Sequence, residues 1–345
     1  MNEDMDGSSS GVSAAPGVVA VGGSAGGVEA LIRFVEGLPA DLPYAVMVAL
    51  HMPVAGPSVL AGILDRHGAL PAVAATDGEI VRPGHIYVSV PNRHLLLDHD
   101  RVALSDGPTE NGNRPAINAL FRSVALGRGS RAVGILLSGV LDDGVLGLAA
   151  IRSRGGTTIV QEPTDALFPS MPLKAIEAHV VDRAAPAAEI GTIIAELAKS
   201  DPVAEAPSAR DSSLELEHRI AMGGPFSTSF ETESLGPPSG YTCPDCNGSL
   251  METPGQNYRC RIGHAWSGDS LLRARDEEVQ GAMWIAVRSL QEKAKLSRKL
   301  ADTVGPGGLH KRYSGLADEA ENAMNVLSRR LSEGYTPRVV ADHDR

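Results

Sequence analysis

A short apolar run, Val18-Val19-Ala20-Val21, ends in Gly22-Gly23-Ser24-Ala25-Gly26-Gly27 and passes straight into Val28-Glu29-Ala30-Leu31-Ile32-Arg33, which reads as a helix. A turn this tight between strand and helix needs small residues, because a Cβ would crowd both the backbone and any bound molecule. Gly22 to Gly26 fits the pattern G-x-S-x-G, in which a serine sits on a sharp strand-to-helix turn with its hydroxyl exposed. A glycine-rich turn of this kind can also cradle phosphate. Here the glycines do not follow G-x-G-x-x-G, and no lysine stands where a P-loop has one.

Strand-like and helix-like runs alternate from Val18 to about Leu197. Ala45 to Leu50 is a continuous apolar stretch of the kind expected for a strand buried on both faces. Ala132 to Val140 and Thr157 to Val160 read the same way, and helical patterns such as Ala116 to Phe121 lie between. The alternation predicts an α/β fold with a doubly wound, mostly parallel sheet. One stretch departs from it. His94–Leu97 and Val102–Leu104, joined by Asp98-His99-Asp100-Arg101, predict a local antiparallel hairpin and hence a mixed sheet.

With 345 residues there is room for one full domain and something smaller. The core should be aliphatic, since 43% of residues are hydrophobic and only 4% aromatic. A net charge of −11 argues against nucleic-acid binding, which wants a basic face. No run of about 18 apolar residues is present, so no membrane-inserted segment is expected. Met1 to Gly11 is acidic and Ser/Gly-rich, without the basic start and apolar stretch of a signal peptide, so a cytoplasmic location is expected. The expected organisation is a disordered leader at 1–16, the α/β domain at 17–198, a flexible linker at 199–240, a cysteine-bearing module at 241–268, a helical hairpin at 269–334 and a tail at 335–345.

A serine hydroxyl needs a base within hydrogen-bond reach and a group to orient that base. His51 directly follows the Ala45–Leu50 strand. In a parallel sheet it would share the C-terminal edge with Ser24, where α/β proteins bind ligands. Another strand end, Leu136-Leu137-Ser138-Gly139-Val140-Leu141-Asp142-Asp143-Gly144, supplies two carboxylates, and spacing alone does not choose between Asp142 and Asp143. The order serine, histidine, acid differs from the serine, acid, histidine order of α/β-hydrolases.

All three cysteines lie between positions 243 and 260. Cys243-Pro244-Asp245-Cys246 is a C-x2-C knuckle, and Cys260-Arg261-Ile262-Gly263-His264 adds C-x3-H after 13 residues. Two close pairs of N and S ligands suit a tetrahedral structural zinc in a zinc-ribbon-like module, with Cys243, Cys246, Cys260 and His264 as ligands. Tyr241, Tyr258 and Trp266 could cover so small a module. Its arginines 259, 261, 273 and 275 are offset by Asp269, Asp276, Glu277 and Glu278, which favours docking to protein over nucleic acid. Beyond it, Val279, Met283, Ala286, Val287, Leu290 and Ala294 mark one helix face. After the break at Gly305-Pro306-Gly307-Gly308, Leu316, Ala320, Ala323, Leu327 and Leu331 mark another. This pair reads as a surface for self-association or for a protein partner.

The α/β segment resembles the catalytic domain of the CheB-type chemotaxis protein-glutamate methylesterases. The resemblance is carried by Gly22–Gly27, His51-Met52-Pro53, Asp77-Gly78-Glu79 and Pro83-Gly84-His85-Ile86-Tyr87. It continues through Asp106-Gly107-Pro108, Asn113-Arg114-Pro115, Leu120-Phe121-Arg122-Ser123, Ser138-Gly139, Asp143-Gly144 and Met171-Pro172. It implies a doubly wound fold with Ser24 as nucleophile, His51 as general base and Asp143, rather than Asp142, as the orienting carboxylate. The implied reaction removes methyl groups from glutamate γ-methyl esters of a chemoreceptor or related signalling protein. Glutamine deamidation is a further implied activity, and no catalytic cofactor is implied. An oxyanion donor is expected near Val140. The alternative is a non-catalytic module that binds a receptor or kinase through the same groove.

Three departures from the family stand out. Ala25 replaces the frequent threonine, and Val140-Leu141-Asp142 replaces a glycine-rich loop. About 17 residues precede the first strand, so no N-terminal receiver domain is expected in cis. The cysteine pattern also resembles that of receiver-less members of the family.

Overall fold

The computed structural model describes residues 14–55, 58–199, 211–223 and 236–333. The expectations for 1–13, for 200–210 and 224–235 of the linker, and for the tail from 334 onward lie outside the described residues. The chain divides into two units, Met1–Leu271 and Leu272–Arg345.

In chain order, the first unit opens with β1 (Val18–Gly23), α1 (Gly27–Glu36), β2 (Ala45–Leu50), α2 (Leu60–His67), β3 (Ala72–Ala74) and β4 (Ile86–Val88). A hairpin, β5 (His94–Asp98) and β6 (Arg101–Ser105), precedes α3 (Ile117–Arg128). Then come β7 (Ala132–Leu136), α4 (Val145–Ser153), β8 (Thr157–Gln161), α5 (Ser170–Glu177), β9 (Arg183–Ala185) and α6 (Ala187–Lys199). The seven-stranded sheet has the order β3-β4-β2-β1-β7-β8-β9, and every pairing in it is parallel.

Side chains alternate faces along a strand, and both faces here are covered. Val19 and Val21 of β1, with Val46 and Val48 of β2, pack among Leu31, Phe34 and Leu64 of α1 and α2 and Ile190 and Ile194 of α6. Val18 and Ala20, with Ala45 and Met47, pack on the other side among Leu120, Phe121 and Val124 of α3 and Leu148 and Ile151 of α4. Each fully buried Val, Leu, Ile, Phe or Met side chain among them contributes about 1.5–3 kcal/mol.

The expected mixed sheet is corrected. The hairpin forms, with Asp98 opposite Arg101, but it is a separate two-stranded sheet. Its Leu95, Leu97 and Val102 join the α3 side of the core, and Leu97 N–H donates to Ser123 Oγ of α3 at 3.0 Å. The hairpin therefore lies against the helix layer instead of extending the parallel edge. The strand expected over Ala132–Val140 stops at Leu136. Past it, Ser138 N–H turns to the Gln161 side chain and its hydroxyl donates to Ala25 O, while its carbonyl still accepts from Ser24 N–H.

The linker expected to be flexible over 199–240 contains α7 (Ser212–Met222), which Asp211 caps through the amides of Ser213 and Leu214. Ile220 and Ala221 of α7 are buried, and Ala221 O accepts from the Ser105 hydroxyl at 2.7 Å. These few apolar positions were too sparse to register as a periodic face. Ala15, expected within the disordered leader, is buried and its N–H donates to Val81 O at 2.9 Å.

The cysteine-bearing segment folds as a four-stranded antiparallel sheet, β10 (Pro238–Thr242), β11 (Ser249–Thr253), β12 (Asn257–Cys260) and β13 (Ala265–Ser267). Two long helices follow, α8 (Gly268–Val304) and α9 (Gly308–Glu333). In the second unit, Arg298 pairs with Asp318 and Glu321, and Ala294, Ala301, Ala317, Ala320 and Leu331 are buried. Val279, Trp284 and Ile285 are exposed. None of the described helices is long and apolar enough to cross a membrane.

Candidate active site and cysteine module

Ser24, His51 and Asp143 follow β1, β2 and β7, the central strand of the sheet and its two neighbours. The sheet reverses its direction of growth here, since β2 lies on one side of β1 and β7 on the other. At such a switch point the loops diverge and leave a crevice. The ladder continues past the strands to hold the turn in place. Ser24 N–H donates to Ser138 O at 3.0 Å, and His51 N–H donates to Gly23 O at 3.1 Å. Gly26 makes the turn itself, with φ +69° at the start of α1.

Within this edge, His51 Nδ1 lies 3.2 Å from Ser24 Oγ, and His51 Nε2 lies 2.7 Å from Asp143 Oδ2. A carboxylate at Nε2 accepts its proton and leaves the Nδ1 lone pair facing the serine hydroxyl. The His51 side chain is 13% exposed and that of Asp143 3%. Ser24 is itself partly exposed, so the hydroxyl can meet a substrate.

The sequence left open which of the two adjacent acids faces the histidine, and the fold separates them. Asp143 Oδ2 also accepts from Ile117 N–H at 2.8 Å, and Oδ1 accepts from Asn118 N–H at 3.1 Å and Gly144 N–H at 3.0 Å. The first amides of α3 thus cradle the carboxylate, as a helix N-terminus does for an anion. Gly22 permits the approach, because a Cβ there would sit 2.2 Å from Ile117 Cγ2. Burial alone would raise the Asp143 pKa. The hydrogen bond and charge of His51, with the Ile117 and Asn118 amides, outweigh burial and hold it below the usual carboxylate range.

Asp142 points elsewhere. Its Oδ1 accepts from Ser267 Oγ at 2.8 Å and Ser270 Oγ at 3.2 Å, both beside the cysteine module. Its pKa is raised, first by burial and further by the charges of Asp143 and Asp269, while the two serine bonds pull the other way. Val140, the expected oxyanion position, lies between Gly139, whose N–H donates to Phe168 O, and Leu141, which holds φ +65°.

Asn118 has a role the sequence did not reveal. Its Oδ1 accepts from Gly144 N–H at 3.0 Å and Gly147 N–H at 2.8 Å, satisfying the first turn of α4 just after Asp143. The signal was one polar residue in an apolar helical stretch.

The donor atoms of Cys243, Cys246, Cys260 and His264 lie within 4.8 Å of one another. Cys246 and Cys260 sulfurs are 3.7 Å apart, and His264 Nδ1 lies 3.7 Å from Cys243 Sγ and 3.4 Å from Cys260 Sγ. A tetrahedral ion with bonds of about 2.0–2.3 Å would give edges of about 3.3–3.8 Å. This donor set fits a metal, and its sulfurs are too far apart for a disulfide.

The module docks on the α/β domain. Ala265 N–H donates to Thr109 O at 3.1 Å, and Asn111 N–H donates to Ala265 O at 2.7 Å. Beside this bridge lies a buried charge cluster. Glu110 meets Arg122 directly and Arg259 of the module at 3.8 Å, while Glu217 of α7 lies 3.0 Å from Arg122 and 3.6 Å from Arg259. Burial would raise the Glu110 pKa, but the two arginines hold it low.

The CheB methylesterase family model matches residues 19–194, just over half of the chain. A protein-glutamate methylesterase/protein-glutamine glutaminase of Xanthomonas oryzae pv. oryzae (strain MAFF 311018) is 42% identical over 159 residues, covering 45% of this chain and 44% of that protein. One of Geobacter metallireducens is 38% identical over 177 residues, covering 50% of this chain and 48% of that protein. The chain thus spans about half the length of the curated relatives it matches. The crystal structure of the Thermotoga maritima CheB methylesterase catalytic domain aligns with a TM-score of 0.51 at 30% identity, covering 52% of this chain and 98% of that one.

Proposed function

The chain belongs to the CheB methylesterase family, and from that premise we propose that it hydrolyses glutamate γ-methyl esters of a chemoreceptor or related signalling protein. The relay from Ser24 through His51 to Asp143, at 3.2 and 2.7 Å on one sheet edge, carries this reading. Ser24 Oγ attacks the ester carbonyl while its proton passes to His51 Nδ1. Asp143 holds the ring through Nε2–H and stabilises the imidazolium that forms. The tetrahedral intermediate collapses, and methanol leaves with the proton from His51. Water, deprotonated by His51, then attacks the acyl-enzyme and releases glutamate and free Ser24.

The developing oxyanion needs donors aimed at it. Among the described residues, the backbone N–H groups of Ala25 and Val140 have no protein acceptor, so they are the proposed pair. Exposed Val54, Leu167 and Phe168 flank the sheet edge and would seat the apolar surface of a substrate helix. The relatives are also named as protein-glutamine glutaminases, and an amide at the same carbonyl would release ammonia by the same steps.

Cys243, Cys246, Cys260 and His264 would hold a structural zinc, which when bound closes the small module without taking part in ester hydrolysis. Such thiols stay reduced in the cytoplasm, the location proposed for the chain. The exposed Trp284 and Ile285 of α8 would serve self-association or a protein partner.

A fluorophosphonate probe tests the nucleophile. Wild-type protein should be labelled at Ser24, located by mass spectrometry, and His51→Ala should label at least 100-fold more slowly, in line with loss of a general base. Labelling elsewhere, or at an equal rate in the variant, would contradict the triad. Purified protein should carry about one zinc per chain, and Cys243→Ser should lose it. Metal-free protein with an ordered module would refute the zinc site.

A further inference from the structure

We infer that the cysteine module, with the first turn of α8 that it caps, is a built-in support of the active site: through Ser267 and Ser270 they grip Asp142 and position the Val140–Asp143 loop. The consequence for catalysis rests on the esterase function proposed above, whereas the grip itself does not.

The loop needs holding. Leu141 adopts φ +65°, a left-handed conformation that an L side chain avoids. Its flanks are fastened from two sides. The Ser170 hydroxyl donates to Leu141 O at 3.2 Å, and the hydroxyls of Ser267 at the module's edge and Ser270 in the first turn of α8 donate to Asp142 Oδ1 at 2.8 and 3.2 Å. Among the described residues these two serines supply every hydrogen bond to the Asp142 side chain. The next residue is Asp143, the carboxylate that meets His51, so a shift of Asp142 moves its neighbour's backbone directly.

The contacts run without interruption from the metal-ligand set to this point. Cys260 N–H donates to His264 O at 3.0 Å, closing the β12–β13 hairpin at its ligand end. Ala265, the next residue, makes the backbone bridge to Thr109 and Asn111. Two residues further on, Ser267 N–H donates to Asn111 Oδ1 at 2.8 Å while its hydroxyl reaches Asp142. The same Ser267 oxygen accepts from Ser270 N–H at 3.2 Å and so caps α8. Lys174 of α5 binds Asp269 in that turn at 3.0 Å. The module's edge, the start of α8 and the acid loop therefore form one hydrogen-bonded node. Asp142, Ser267 and Ser270 are positioning residues, since none of them touches Ser24 or His51.

The test uses the full chain as wild type, Asp142→Ala, Ser267→Ala/Ser270→Ala and the combination of all three. Amide hydrogen exchange across residues 139–146 should quicken about tenfold in each variant, with β4, on the far side of the sheet, unaffected. Turnover of a methyl-ester substrate should fall about tenfold in kcat with KM held within about twofold, as expected for a misplaced catalytic group. The combined variant should be no worse than either alone, because the residues act through one contact. Ser267→Thr/Ser270→Thr, which keeps both hydroxyls, should restore kcat, and zinc content should match wild type throughout. Unchanged exchange at 139–146, additive losses, or equal loosening of β4 would each overturn the inference. If wild type itself hydrolyses no ester, the proposed function fails, and the exchange comparison still decides whether the module holds the loop.

Discussion

At the scale of the residue, the proposed catalysis turns on which atom of which side chain meets His51. Ser24 and His51 were legible because each directly follows an apolar strand, and a parallel sheet puts such positions on one edge. Asp142 and Asp143 were not separable by spacing, because the distinguishing partners lie far away in the chain. The amides of Ile117 and Asn118 select Asp143, and the hydroxyls of Ser267 and Ser270 take Asp142. Asp143→Asn keeps the shape and loses the charge that fixes the His51 tautomer. Its kcat should fall about 10³- to 10⁴-fold with KM little changed, measured on a methylated receptor fragment. Asp143 also bears on stability. Its folded pKa is depressed, so its stabilisation is complete above the ordinary carboxylate value of about 4 and is lost as pH falls through the lower folded value. Urea unfolding of Asp143→Asn across acid pH should therefore show a shallower decline than wild type.

At the scale of the element, the parallel strands and their helices were readable from apolar runs, since strands buried on both faces leave continuous stretches such as Ala45 to Leu50. The hairpin was readable too, but its attachment was not. Leu95, Leu97 and Val102 present the same alternation whether the pair extends a sheet or lies on a helix layer, and only the partner α3 decides. Helix α7 escaped notice because Ile220 and Ala221 bury almost alone, in a segment otherwise rich in charge. One of its residues makes its docking sensitive to pH. Burial, then the nearby charge of Arg122, lowers the His218 pKa to about 4, with Asp98 opposing. An undocked α7 would take up a proton near the ordinary histidine value of about 6.5, whereas the docked one resists until about 4. Docking should weaken as pH falls through that window, seen as faster amide exchange in 212–222. His218→Gln should remove the dependence, and identical profiles for the two proteins would contradict it.

At the scale of the whole molecule, the cysteine spacing announced a metal-sized module but not where it sits. Within the first unit the module docks on the chain's own α/β domain. The surface responsible is spread over Glu110, Arg122, Glu217 and Arg259, residues that no local pattern joins. A buried cluster of two arginines and two glutamates is costly to unbalance. Glu110→Gln leaves Arg122 and Arg259 short of a counter-charge and should cost about 3–5 kcal/mol in urea unfolding. A loss within experimental error would mean that the cluster is more solvated than its burial implies.

The sheet edge, the acid loop and the supporting module all bear on one hydroxyl, that of Ser24. The most direct measurement is methanol release from a methylated chemoreceptor by wild type and by Ser24→Ala. Wild type should release methanol catalytically and the variant should fall to the background rate. Equal release by the two proteins, or none from either, would contradict a serine methylesterase.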